Sequence, residues 1–435
     1  MNMLNRTTAP AHFATTRFHL IKPQRLRFAN GLQVFVFDSG DQELVRIEWI
    51  VGNIFTTEDR GLLNTCVCDM LLEGTGSHNS AQLAEQVDFH GAFLVPSFGY
   101  DQSSLTLFSL NRHLPSLLPL VKEILVDPTF PEKELATYIR NNVQKLQVSL
   151  KKNSFVARRE FNRAIFGATR YGYTPDAIDY ERVDRDELLS LFSKQYRPEN
   201  SSLVVSGKVT DEVIRMLEQL FGDEWQNDGR VTPNDGPPAS APVSTAEPIV
   251  VERADALQSA IRLGSRSIQR SHPDFPGLQV VNTLLGGYFG SRLMANIRED
   301  KGYTYNIGSG LASLKHGAFL TIASEVGVEA TGATLAEIEK EIRRLRDEPV
   351  PEAELAVVRN YMMGSMLGSL ENVFSHADKF KNTYFSGLDL DYYDYYTDVV
   401  NTITPDEVQR LANTYLDYDK MVKVIVGKLP PINGL

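Results

Sequence analysis

Apolar and polar positions alternate with two different periods along this chain, and the switches between them mark out its elements. Leu32–Asp38 and Glu43–Val51 are short runs rich in Val, Ile and Phe that follow the turn pair Asn30-Gly31, and they read as strands, as does Ser104–Phe108. Gly61–Glu73, Ser80–Phe89 and Glu132–Leu150 carry apolar residues at helical spacing; Ser80 is expected to cap the second helix and Pro131 to open the third. A helix over Asp184–Gln195 precedes an apolar strand, Ser202–Ser206, that ends at Gly207. Farther on, Ile249–Glu252, Ala318–Ala323 and Val422–Val426 read as strands, while Arg292–Lys301, Thr334–Arg346 and Glu352–Leu370 read as helices. Strands that bracket runs of helices predict an α+β layer architecture.

The pattern occurs twice. Pro131–Leu135 matches Pro351–Leu355, Ser149-Leu150 matches Ser369-Leu370, Asp186-Glu187 matches Asp406-Glu407, Leu191 matches Leu411 and Gly207-Lys208 matches Gly427-Lys428, all at an offset of 220 residues. Several matches in one order at one offset indicate a duplicated unit. Between the copies, Gln226 to Pro248 is rich in Asp, Pro, Gly, Ala and Ser, a composition suited to a connection rather than a packed core. The expected organisation is a first unit at 25–225, a linker at 226–248 and a second unit at 249–430.

A net charge of -11 disfavours nonspecific binding to nucleic acid or anionic membranes, which needs clustered Lys and Arg. No apolar run approaches the ~20 residues of a membrane-spanning helix. The first 25 residues carry Arg6, His12, Arg17, His19, Lys22 and Arg25 without a continuous apolar stretch, so no secretory signal is read there. Cys66 and Cys68, two residues apart on a helix, diverge and are expected to be small apolar fillers rather than a disulfide. Cytoplasm is the expected compartment, with periplasm the open alternative.

A duplicated α+β unit joined by an exposed linker resembles one subunit of the pitrilysin-type (inverzincin) peptidases. That family includes the mitochondrial processing peptidase, the insulin-degrading enzyme and bacterial two-subunit relatives. The family's zinc helix reads Gly-x-x-His-x-x-Glu-His-Met-x-x-x-Gly-Thr. In this chain Met70 and Gly74-Thr75 fix the register, which puts Thr65 at the first histidine, Cys68 at the catalytic glutamate and Asp69 at the second histidine. The third ligand would fall near Leu146, and no Asp or Glu occurs between Glu134 and Glu160. Zinc needs three or four convergent ligands and a carboxylate base beside its water. None of the eight histidines pairs with another at i,i+3 or i,i+4, so the resemblance implies no metal in this chain.

The second copy keeps more. Gly286-Gly287-Tyr288-Phe289-Gly290-Ser291-Arg292-Leu293, followed by Arg298, Glu299, Gly302 and Tyr305, resembles the family's Gly-Gly-x-x-Ser-Arg-Leu … Arg-Glu-x-x-Gly-x-x-Tyr segment, with Gly290 as one extra residue. The resemblance implies that Arg298 positions a peptide substrate and that Tyr305 stabilises the oxyanion in trans. Arg292 is expected to tie this helix to the sheet, and the glycines to form a tight turn before it. No Gly-Lys-Ser/Thr follows, so a phosphate loop is rejected. The implied role is the non-zinc subunit of a bacterial heterodimer. A homologous chain bearing H-x-x-E-H supplies the zinc, and the peptide adds as a β-strand. This chain alone is expected to have no peptidase activity. The alternative is a catalytically inactive scaffold or binding protein of the same fold.

Overall fold

Residues 18–55, 61–226 and 247–428 are described in this computed structural model. Most of the N-terminal segment and of the connection expected at 226–248 therefore lies outside the described residues. Six strands form the first sheet: β1 (Gln24–Arg27), β2 (Gln33–Asp38), β3 (Leu44–Gly52), β4 (Phe93–Phe98), β5 (Gln102–Leu110) and β6 (Ser201–Gly207), in the order β1-β2-β6-β3-β5-β4. Five form the second: β7 (Ile249–Glu252), β8 (Gln258–Arg266), β9 (Ile307–Leu314), β10 (Gly317–Gly327) and β11 (Val422–Gly427), in the order β7-β11-β8-β10-β9. Without β1 the two orders superimpose strand for strand. Each sheet is antiparallel except for one pair, β2 with β6 and β7 with β11. The fold is therefore α+β and duplicated.

The repeated glycines have a backbone reason. Gly207 and Gly427 end equivalent strands with φ of 121° and 159°. A Cβ at Gly207 would overlap the Leu44 carbonyl oxygen, and one at Gly427 would overlap Ser259. Only glycine lets the neighbouring strand approach that closely.

Helices cover both faces of each sheet, and one face is covered from the other half. Helix Asn153–Phe166 packs Val156, Ala157, Phe161 and Ile165 onto Ala260, Val422, Val424 and Val426 of the second sheet. Helix Val373–Tyr384 returns the favour, placing Ala377 and Phe380 on Phe35, Phe37 and Val204 of the first. This explains why β3 is buried along both of its faces over Val45–Val51.

Two details correct the sequence reading. Asn79, not Ser80, caps helix Ser80–Phe89: its side chain accepts from Gln82 N while Gln82 returns a bond to the Asn79 backbone. The helix expected over Gly61–Glu73 runs only Leu62–Asp69, because the chain turns at Met70 and Gly74, at φ 153°, enters a short bridge to Asn79.

Candidate functional site

The helix Leu62–Asp69 buries Leu62, Asn64, Cys66, Val67 and Cys68 and packs against both β4 and helix Arg185–Gln195. Thr65 turns its hydroxyl back to the Gly61 carbonyl at 3.1 Å, a bond within its own helix. Cys68 is fully buried, and burial, with the Asp69 charge beside it, pushes its thiol up to about 12 despite a hydrogen bond with Ser103. Asp69 accepts a 2.8 Å hydrogen bond from the Tyr138 hydroxyl on helix Glu132–Leu150. Desolvation raises the Asp69 carboxyl above its usual range, while the Tyr138 bond and the Lys145 charge oppose the rise.

This donor set does not suit zinc. It offers no imidazole, a thiol held protonated and a carboxylate already engaged. Leu146, where the third ligand would fall, is buried and apolar. Among the described residues no three His, Cys, Asp or Glu side chains converge on a metal position. Tyr138, which the sequence reading missed, links the two helices that a metal would otherwise bridge.

The second segment is built from Thr283–Gly287 and Met294–Asp300, both wound as wide π-helical turns, a geometry frequent at functional sites. Arg292 is structural as expected, but its partner differs. It makes a bidentate pair with Glu354 at 2.8 and 2.9 Å, so it ties the segment to helix Glu352–Gly368 and not to the sheet. Gly286 also acts differently from expectation: its φ is ordinary, and its role is close approach, since a Cβ there would press within 2.6 Å of the Ser309 nitrogen. Asn296 donates to Glu337 at 2.8 Å and to Glu341 at 2.7 Å, fixing the helix beneath Arg298.

Arg298 lies over the Phe289 ring at 4.6 Å. Tyr303 packs against the second core, whereas Tyr305 is 91% exposed. Tyr305 stands at a cavity of about 320 Å³ between helix Asn153–Phe166 and the second sheet, whose wall includes Ser154, Ala157, Ala260 and Arg262. Thr65, Cys68, Asp69 and Arg298 do not line it. The structure thus keeps the motif helix on the first unit and the Tyr305 segment on the second.

Strand β4 is the open edge of the first sheet and packs beside the motif helix. An apolar groove of about 550 Å³ runs along it, lined by Leu72, Ala84, Val87 and Phe93 among others. Phe93, 68% exposed, is a large apolar side chain on this groove.

Residues 182–362 match the family described as the peptidase M16 inactive domain. An uncharacterized zinc protease of Bacillus subtilis, YmxG, is 22% identical over 362 residues, covering 82% of this chain and 86% of the relative. A second Bacillus subtilis protein, the probable inactive metalloprotease YmfF, is 21% identical over 57% of each chain. A peptidase M16 inactive domain from Pseudomonas fluorescens has the same fold, with a TM-score of 0.84 at 20% identity over 94% of this chain and all (100%) of that one. The periplasmic protease PqqL of Escherichia coli superimposes with a TM-score of 0.76 at 14% identity, over 99% of this chain and 48% of PqqL. Residues 182–362 therefore match the peptidase M16 inactive domain, and the chain as a whole has the fold of these M16 structures.

Proposed function

We propose that this chain is the non-zinc subunit of a heteromeric zinc metallopeptidase, built from units at 25–225 and 249–430 joined by a linker at 226–248. The observation that carries the reading is Tyr305. It projects 91% into solvent from a segment otherwise fixed by buried contacts, while the chain's own motif helix has no donor set for zinc. An exposed phenol in that position has a use when a second chain brings a metal and a scissile carbonyl to it. A homologous subunit bearing H-x-x-E-H supplies zinc, ligands and base. Arg298 positions the peptide, which pairs with the open edge of β4 beside the apolar groove. Among the described residues no helix is long and apolar enough to cross a membrane. We place the complex in a bacterial cytoplasm, where the thiols of Cys66 and Cys68 stay reduced.

The test is reconstitution with such a homologue and steady-state kinetics on an unstructured peptide. The isolated chain is inert. In the complex, Tyr305→Phe lowers kcat by about a hundredfold, the scale of a lost oxyanion donor. Arg298→Ala lowers kcat/KM by about tenfold, the loss of one charge-assisted contact. Assembly is unchanged in both. Wild-type kinetics from both variants overturn these roles. They would favour the inactive scaffold, a reading supported by Arg298 having a structural partner in Phe289.

A further inference from the structure

The duplication makes each sheet a control for the other. On the first sheet, Arg46 and Glu48 of β3 meet Asp378 and Lys381 of helix Val373–Tyr384. Arg46 lies 2.9 Å from Asp378 and 3.1 Å from Glu48, and Lys381 lies 2.6 Å from Glu48 and 2.8 Å from Asp378. The Arg46 guanidinium also covers the Phe374 ring at 5.4 Å, and Phe374 meets Phe108 at 6.2 Å. Two cations, two anions and two rings fill the space and balance its charge.

Strand register identifies the same positions on the second sheet. Arg46 pairs with Ser206 and Phe108, and Glu48 with Val204 and Thr106. The equivalent pairs are Ala260 with Val426 and Glu325, and Arg262 with Val424 and Ala323. Ala260 therefore replaces Arg46, Arg262 replaces Glu48 and Glu325 replaces Phe108. The 220-residue offset sets Ser154 at Phe374, Arg158 at Asp378 and Phe161 at Lys381. Large groups have become small at Ala260 and Ser154, and both acids have become arginines.

The result is the 320 Å³ cavity at Tyr305. Among the described residues Arg262 has no carboxylate at ion-pair distance. Its guanidinium lies 5.3 Å from the Phe161 ring, and its Nε is buried without a hydrogen-bond partner. Burial, then the Arg158 charge, holds its pKa below the ordinary arginine range. The remaining wall is mostly uncharged: Ala157, Ala260 and Ile261, with Thr304 and Ser324 bonded to each other at 3.1 Å. Glu325 is the one acid of the lining and is exposed. One planar guanidinium in a cleft whose other lining residues are uncharged except for the exposed Glu325 suits a planar monoanion, and the Glu325 charge opposes a dianion.

We propose that this cavity binds a carboxylate group of a peptide, with Arg262 as the residue that grips it and Tyr305 at its mouth. The carboxylate is that of a peptide C-terminus or of an acidic side chain. The inference stands on the cavity alone and needs no second subunit, so it survives or fails independently of the peptidase reading.

Calorimetric titration of the full-length chain at low salt decides it, with three probes: acetyl-Ala-Ala-Leu as the free acid, the same peptide as its amide, and acetyl-Ala-Glu-Ala-amide. One of the two anionic peptides binds at least about tenfold tighter than the neutral amide, and which one does so names the source of the carboxylate. Arg262→Gln removes that preference. Ser154→Phe, which copies the ring of the first sheet into an exposed position, closes the cavity and abolishes binding without altering charge. Equal binding of all three peptides, no binding of any, or a preference that persists in folded Arg262→Gln or Ser154→Phe overturns the proposal.

Discussion

The resemblance to the zinc helix would put Cys68 at the position of a catalytic base, and its surroundings give it the opposite chemistry. A thiol pushed up to about 12 by burial carries about a thousandfold less thiolate at pH 8 than an ordinary cysteine. The native chain should resist a disulfide-exchange reagent at pH 8, and both Cys66 and Cys68 should react once guanidinium unfolds it. Rapid labelling of Cys68 in the native state would contradict its burial. The raised thiol also makes a stability statement. The folded state holds a proton that the unfolded state releases between the ordinary thiol range and about 12, so this contribution is intact below that range and is lost as pH rises through it. Cys68→Ala should therefore lose less stability than the wild type between pH 8 and pH 10.5, by on the order of 2 kcal/mol in urea titrations. The motif reading rests on sequence register: Met70 and Gly74-Thr75 set it, and Thr65, Cys68 and Asp69 depart from the family pattern. Tyr138 was not legible. Its bond to Asp69 spans 69 positions and exists only once two helices pack.

At the level of elements, one ion pair ties the segment that presents Tyr305 to helix Glu352–Gly368. Arg292 is 8% exposed in its side chain and bonds Glu354, 31% exposed, through two nitrogens. Arg292→Ala strands that carboxylate and should cost about 2 kcal/mol in equilibrium unfolding. Arg292→Lys should recover only part of this, since an ammonium cannot reproduce the bidentate fork. A loss below a few tenths of a kcal/mol for Arg292→Ala would mean the helix is held by packing alone. The elements missed from sequence share a physical cause. Strand β8 carries Arg262 and Gly264 in its interior, which breaks any apolar period, and β4 carries Pro96, tolerated because β4 is an edge. Helix Asn153–Phe166 carries three arginines and a glutamate, and its apolar stripe answers to β8 and β11, strands distant from it in the chain.

At the level of the whole molecule, the two sheets depend on each other. A two-sided sheet needs apolar cover on both faces, and each half of this chain supplies cover for only one face of its own sheet. The second face of the first sheet is closed by Phe380 and Ala377, and that of the second sheet by Phe161 and Ile165. The ionic group of Arg46, Glu48, Asp378 and Lys381 adds a charged seam to one of these contacts. Exposing such a face would leave a wide apolar surface in water at ~25 cal/mol per Å². The halves should then behave as one folding unit despite their matching topologies. Separately produced halves, divided within residues 227–246, should each bind a hydrophobic dye and lack a cooperative unfolding transition. Mixed in equal amounts, they should sediment as a 1:1 complex and recover a single transition. Two halves that are each monomeric, dye-free and cooperatively folded would show that the exchanged helices are accessory. The sheet faces would then have to be closed by contacts within each half.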